Sequence, residues 1–404
     1  MLNINISNVI AFILITIIWS ALAIIARLLR LEKKRGIVIY PLFFMIKSEK
    51  FKEYIKRLAY KYRRFWRTFE KISLRTFPIV IVFSIIYLSL NFFLLLKRRL
   101  IITSMGIPIG TEFTPVIPFI TIDPRIMLIL LFSSFLAILP HEIAHGAVGV
   151  NNGIEIKSAG FFLIAGAISG GFIEIPEEIL NDVFSDYQKS LMNSTSKKYL
   201  IRAVKKTLSA GTVMNVLLLA VFFGFLSSYS ILMSPFFKPA GILIVDVIPH
   251  SPAYKANLTA GTIIWRINDT MIKTIDDFRN FLANCKPNQT LLLYTNKGVF
   301  KVKLGKNNGR AFLGIYYAEW YESRLWFIPD EAYYIVFNTI YFNYLLQFIV
   351  IVLNAAPLFV NDGAKYLWIV IRRYKRLGDA IYQAINLFSL CILILTILGG
   401  RFLP

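Results

Sequence analysis

The sequence predicts a polytopic α-helical membrane protein: about six transmembrane helices, re-entrant or β-hairpin segments between them, and one small extramembrane α+β module. Two observations carry the membrane assignment. Hydrophobic residues make up 56% of the 404, and the mean hydropathy of +0.61 exceeds that of an ordinary soluble domain. Several apolar runs reach the roughly 18 to 20 residues a helix needs to cross a bilayer. A third observation carries the module. Between Pro239 and Leu304 the long apolar runs give way to short β-rich runs separated by turn residues.

Taken in order, Ile6 to Ala26 is the first span. No basic n-region with a small-residue cleavage site opens it, so it reads as a retained helix. Arg27 to Arg75 follows, with 16 Lys or Arg against four Glu, and reads as a charged connector on the cytoplasmic leaflet. Within it, Ile37 to Ile46 is too short to span and is expected at the membrane interface. Phe77 to Leu96 is the second span. Lys97 to Pro124, punctuated by Gly106, Pro108, Gly110, Pro115 and Pro118, is too apolar for an open loop. It is expected to dip into the membrane under protein cover.

Ile126 to Val150 is the third span. In Asn151 to Glu178, alternation broken by Gly160, Gly166, Gly170 and Gly171 predicts extended chain close to another backbone. Asn181 to Lys206 reads as a soluble connector with a basic end. Thr207 to Leu232, Tyr334 to Leu353 and Ala380 to Leu398 are the fourth, fifth and sixth spans. The expected domains are an N-terminal helix with its basic cytoplasmic segment (1–75), membrane core at 76–236, the small module at 237–310 and membrane core again at 326–404. No internal repeat is visible, which weighs against a transporter of inverted halves.

The formal net charge is +22. In a soluble chain that would point to nucleic acid. Here the excess lies beside apolar runs, the pattern of cytoplasmic loops, so the partner it implies is the lipid bilayer and no nucleic acid. Cys285 and Cys391 lie in unrelated segments, which argues against a disulfide framework or a thiolate metal cluster.

The chemistry concentrates in the third span, at Leu139-Pro140-His141-Glu142-Ile143-Ala144-His145-Gly146. Residues four apart share one face of a helix, so His141 and His145 can address one metal ion. Zn2+ accepts neutral imidazole nitrogen and keeps a position open in catalytic sites. Glu142, beside the first histidine, is set to take a proton from water. Catalytic zinc usually wants a third protein ligand. Asp362 is the choice, because Asn354, Pro357 and Gly363 break an apolar helix beside it; Glu174, Glu177 and Glu178 are rivals. Assigning the basic stretches 27–75, 197–206 and 372–376 to the cytoplasm brings the histidines and Asp362 to one depth on the cytoplasmic side and puts the module outside. Lys97-Arg98-Arg99 then faces outward, against the rule.

These residues resemble the site-2 protease family of intramembrane zinc metalloproteases. The family's H-E-x-x-H stands as His141 to His145, and its N-x-x-P-x-x-x-x-D-G as Asn354, Pro357, Asp362 and Gly363. Gly171-Phe172-Ile173-Glu174 resembles its G-x-F-x-E stretch, and Ala210-Gly211 with Asn215 its A-G-x-x-x-N helix start. The resemblance implies one catalytic zinc on His141, His145 and Asp362, Glu142 as base, and Asn354 as oxyanion donor or substrate-positioning group. It implies substrates that are transmembrane proteins cut within their spans. The module at 240–305 is similar to PDZ domains, which implies a bound peptide or C-terminus, with Gly241-Ile242-Leu243-Ile244 as the carboxylate-binding loop. Two other readings stand beside this one: a membrane zinc protease with a glutamate third ligand, and a non-catalytic zinc-bound receptor or scaffold displaying the module.

Overall fold

The computed structural model describes residues 6–31, 36–104, 124–176, 178–179, 183, 194–307 and 309–402. In chain order the main elements are α1 (Ile6–Leu28), β1 (Ile37–Tyr40), β2 (Phe43–Lys47), α2 (Glu49–Lys61), α3 (Arg63–Ser104), α4 (Pro124–Asn151), β3 (Ser158–Ile164), β4 (Ile168–Glu174) and α5 (Ser194–Ser227). Next come β5 (Phe237–Val247), β6 (Ile263–Ile267), β7 (Thr270–Met271), α6 (Ile275–Ala283), β8 (Thr290–Thr295), β9 (Gly298–Lys303), β10 (Gly305–Asn307), β11 (Arg310–Phe312) and β12 (Ile315–Ser323). The chain closes with α7 (Ala332–Ala355), α8 (Asp362–Ile371) and α9 (Lys375–Phe402). Two compact units emerge: Met1–Leu226 with Asn338–Pro404, and Ser227–Phe337.

Among the described residues, five helices are long and apolar enough to cross a membrane: Arg63–Leu94, Ile126–Asn151, Ser196–Ser227, Ala332–Ala355 and Arg376–Ile397. The first expected span falls in α1, where Thr16–Leu28 forms a shorter apolar helix. The glycine- and proline-rich stretch from Gly106 to Pro118 lies outside the described residues.

Helices overrun the apolar runs that announced them. The segment Asn181 to Lys206, expected to be a connector, is helical from Ser194 onward, continuous with the fourth span. Charge marks where a helix leaves the lipid, and it does not stop the helix. Likewise α3 begins 14 residues before the apolar run at Phe77, and the basic stretch before it folds into β1, β2 and α2. Ser48 caps α2 by accepting the Phe51 N–H. The face of α2 carrying Phe51, Ile55 and Ala59 is buried.

The segment Ile37 to Ile46 was expected merely to lie at the interface, but it forms a hairpin that joins a sheet. In the order β1-β2-β3-β4, all pairs antiparallel, β2 pairs with β3 from Phe43↔Ile164 to Lys47↔Gly160. This leaves β4 as an edge strand, lying on α4. A Cβ at Gly170 would meet Ile138 at 2.5 Å, so glycine is what lets strand and helix touch. The helices pack through small residues: Ala144 and Ala147 of α4, Ala210 of α5 and Ala355 of α7 are all fully buried in one cluster with Phe77.

The smaller unit is an antiparallel sheet ordered β12-β5-β6-β8-β9, with β7 paired to β6. Its core includes Ile242, Ile244, Ile264, Ile267, Phe278, Leu291 and Leu293, each with no exposed surface. The sheet takes in β12, C-terminal to the 237–310 segment read from sequence. Gly241 to Ile244, expected from the resemblance to be the carboxylate-binding loop, is strand rather than loop. It lies in β5, which pairs with β12 on one side and β6 on the other, so its backbone groups are taken. The edge strands are β12 and β9.

Candidate metal centre

His141 and His145 lie one turn apart on α4, ring centroids 4.6 Å apart, with their Nε2 atoms 3.0 Å apart. Asp362, first residue of α8, brings its Oδ2 to 3.0 Å from His145 Nε2 and 3.4 Å from His141 Nε2. These ligand atoms lie within 4.8 Å of one another and, among the described residues, form the group of three that could hold a metal ion.

The rear nitrogens of the two rings decide what the front ones offer. His145 Nδ1 is 2.6 Å from the Thr207 carbonyl oxygen, which can only accept, so that Nδ1 carries the proton. His141 Nδ1 is 2.5 Å from Asn215 Oδ1. The Asn215 amide nitrogen already donates to the Ala137 carbonyl (2.9 Å) and to Gln347 Oε1 (2.5 Å), so its oxygen is the atom facing His141. With the Nδ1 atoms engaged from behind, it is the Nε2 atom of each ring that is turned toward the Asp362 carboxylate. Two imidazole nitrogens and a carboxylate oxygen thus converge on one point, a donor set that suits a metal cation. Gly211 of α5 closes the rear: a Cβ there would lie 2.3 Å from His145 Nε2 and 2.7 Å from His141 Nε2.

Asp362 is delivered by a built loop. Pro357 has no N–H to offer the Leu353 carbonyl four residues earlier. The Asn361 amide takes that carbonyl at 2.5 Å and the Ala356 carbonyl at 2.5 Å, while its oxygen caps α8 by accepting the Ala364 N–H. From α9, the buried Asn386 accepts the Phe359 N–H at 2.6 Å. Phe359 itself sits at φ 66°, a left-handed conformation that these bonds hold in place.

Glu142 lies beside the metal candidates, and one carboxylate oxygen accepts the Ile173 N–H of β4 at 3.1 Å. The base candidate is thereby tied to the edge strand. A cavity of about 500 Å³ is lined by His141, Glu142, His145, Asp362, Asn354 and Lys365, with apolar walls that include Phe162, Ile173 and Val350. Asn354 is half-buried on this wall. Glu174, a rival third ligand, instead accepts from Ser158 Oγ and faces Lys47 at 3.7 Å. Glu178 is exposed, and Glu177 lies outside the described residues.

Sequence reasoning did not single out Thr207, Asn361, Gln347 or Asn386. One signal was available: a proline after an apolar run orphans a carbonyl four residues back, and a nearby amide side chain in a membrane segment is a candidate to take it.

The family model for peptidase family M50 matches residues 127–396. The uncharacterized protein MJ0971 of Methanocaldococcus jannaschii is 27% identical over 408 aligned residues, which span 96% of this chain and 93% of that protein. Among solved structures, the PDZ domain of the SdrC-like protein Lmo2051 from Listeria monocytogenes matches at 22% identity, covering 20% of this chain and 88% of that one, with a TM-score of 0.19. Because the family match runs from the histidine-bearing helix to the last helix, the chain belongs to peptidase family M50, the site-2 protease family.

Proposed function

We propose that this membrane peptidase is an intramembrane zinc metalloendopeptidase that cuts transmembrane segments of other proteins. The observation that carries the reading is the convergence of His141, His145 and Asp362 beside Glu142, on a cavity walled by apolar side chains. The two imidazoles and the carboxylate would hold one zinc ion, which when bound supplies a Lewis acid that acidifies water and polarises a carbonyl.

The chain's own groups do the rest. Glu142 takes a proton from the attacking water and passes it to the leaving amine nitrogen as the C–N bond breaks. Asn354, on the cavity wall, positions the scissile carbonyl through its amide N–H. A helical substrate hides its carbonyls, so it must unwind. The edge of β4 can pair with it as an added strand once its Ile173 and Ser169 N–H groups are released from Glu142 and Ser134. The charge pattern supports a site near the cytoplasmic side of a cell membrane. The smaller unit, at roughly 237–310 with β12 added, is read as a PDZ-like domain that captures extended peptides or C-termini. Residues 1–75 form the N-terminal helix and basic segment, and 76–236 with 326–404 the catalytic membrane core.

The test uses purified full-length protein and a single-span model substrate. Cleavage should disappear with a chelator, return with zinc, and disappear in Glu142→Gln while zinc is retained. Asp362→Ala should lose zinc. Unchanged processing by metal-loaded Glu142→Gln would favour a non-catalytic scaffold, and zinc retention by Asp362→Ala a glutamate third ligand.

A further inference from the structure

His145 and His141 are held by different kinds of acceptor. Behind His145 stands a backbone carbonyl, which has only one polarity. Behind His141 stands the side-chain amide of Asn215, whose oxygen and nitrogen are nearly the same size. If that amide turned over, an N–H would face His141 Nδ1. The ring would then take the opposite tautomer and aim an N–H, not a lone pair, at His145 and Asp362. The site's donor set therefore depends on something that fixes the amide.

The structure assigns that task to Gln347 of α7, acting together with the Ala137 carbonyl, as a positioning residue for His141. Gln347, Asn215 and Asn343 are all without exposed surface. Gln347 Oε1 accepts one Asn215 N–H, and Gln347 Nε2 donates to the Leu136 carbonyl at 3.4 Å. Leu136 is four residues before Pro140, which has no N–H, so this carbonyl lacks its helical partner and is open to Gln347. The next carbonyl, Ala137, accepts the second Asn215 N–H. Carbonyls cannot reverse roles. Leu136 orients Gln347, Gln347 and Ala137 orient Asn215, and Asn215 orients His141. The proline directly before His141 thus opens the relay that ends on that histidine's own ring. One turn along α7, Asn343 donates to Ser133 Oγ at 3.0 Å, anchoring the same face of α7 to α4.

This inference rests on the metal-centre reading, yet its decisive readout needs neither metal nor substrate. The chain has three histidines, so full-length protein labelled with 15N-histidine in detergent gives a spectrum assignable with His145→Gln and His250→Gln. Metal-free wild type should show His141 as the Nδ1–H tautomer. Gln347→Met, similar in length but without an acceptor, should show a mixture of tautomers and bind zinc at least tenfold more weakly by competitive chelator titration. Gln347→Glu, which keeps an acceptor oxygen, should retain the wild-type tautomer. In an Asn215→Asp background the carboxylate has no N–H to misdirect, so adding Gln347→Met should leave the tautomer unchanged. An unaltered His141 tautomer in Gln347→Met would overturn the proposal. So would a Gln347→Met effect that persists in the Asn215→Asp background, since that would be general loosening of the core. Absence of proteolysis by zinc-loaded wild type, with the tautomer effect intact, would count against the enzymatic reading alone.

Discussion

Gly211 has no room for a methyl group. Its ideal Cβ would overlap both metal-facing nitrogens, and neither imidazole can retreat without breaking its bond to Thr207 or Asn215. Alanine is the better helix former by roughly 1 kcal/mol, so Gly211→Ala should leave α5 intact or firmer while displacing the rings. We expect zinc affinity to fall by about 10- to 100-fold with helix content unchanged, measured by chelator competition alongside circular dichroism. Loss of affinity together with loss of helix would instead mean general disruption. The contrast with His141, Glu142 and His145 explains what was legible in the sequence. Those three announce themselves because their meaning is local: four-residue spacing on one helix. Asp362 was legible as a candidate because charge patterning brought it to the same depth. Gly211 was marked only through the A-G-x-x-x-N resemblance and Gln347 not at all, since what they do is defined by atoms on other helices.

At the scale of elements, hydropathy located the membrane runs but not the ends of the helices. α3 and α5 both open with lysines and arginines and remain helical through them. The hairpin β1–β2 was hidden because its partner, β3, lies more than 100 residues further on. Short-range alternation cannot name a distant partner. In the smaller unit, α6 is set by a capping box. Thr274 Oγ1 accepts the Asp277 N–H, and the Asp277 carboxylate accepts the N–H groups of Thr274 and Lys273. Those backbone donors hold the Asp277 carboxyl below its ordinary value. A lowered folded-state value means the stabilisation is fully present above the unfolded aspartate value of about 3.9 and is lost as pH falls through the depressed one. Amide exchange across α6 should therefore quicken on acidification below about pH 4, beyond the intrinsic trend, and Asp277→Asn should flatten that dependence. Thr274→Ala should weaken α6 by about 1 kcal/mol at neutral pH. An α6 whose protection ignores both substitutions would refute the capping account.

At the scale of the whole molecule, the membrane unit is tied together by a buried charge cluster. Lys206 Nζ lies 2.7 Å from Glu70 and 2.9 Å from Asn152 Oδ1, and Asn152 donates to Glu70 at 2.5 Å. Three segments meet there: α3, the turn after α4, and α5. Removing one partner leaves a charge stranded out of water, so Lys206→Met should cost about 3–5 kcal/mol, whereas pairing it with Glu70→Leu should recover most of the loss. Denaturant unfolding of detergent-solubilised protein reads both. Equal destabilisation by the single and double variants would show that the cluster acts through packing alone. The fold class was legible from composition and run length, because burying a helix in lipid leaves a long unbroken signature. How the helices close around a site was not, since that rests on small residues and on amides that satisfy one another across them.

The two imidazoles are steered from behind by one rod. Thr207 and Asn215 sit eight residues apart on α5, roughly 12 Å along its axis, and each grips one ring. A small slide or twist of that rod would therefore detune both rings in concert, while the carboxylate, anchored on α8 and α9, stayed put. Assembling or dismantling the grip reduces to a single coordinate, the travel of one helix.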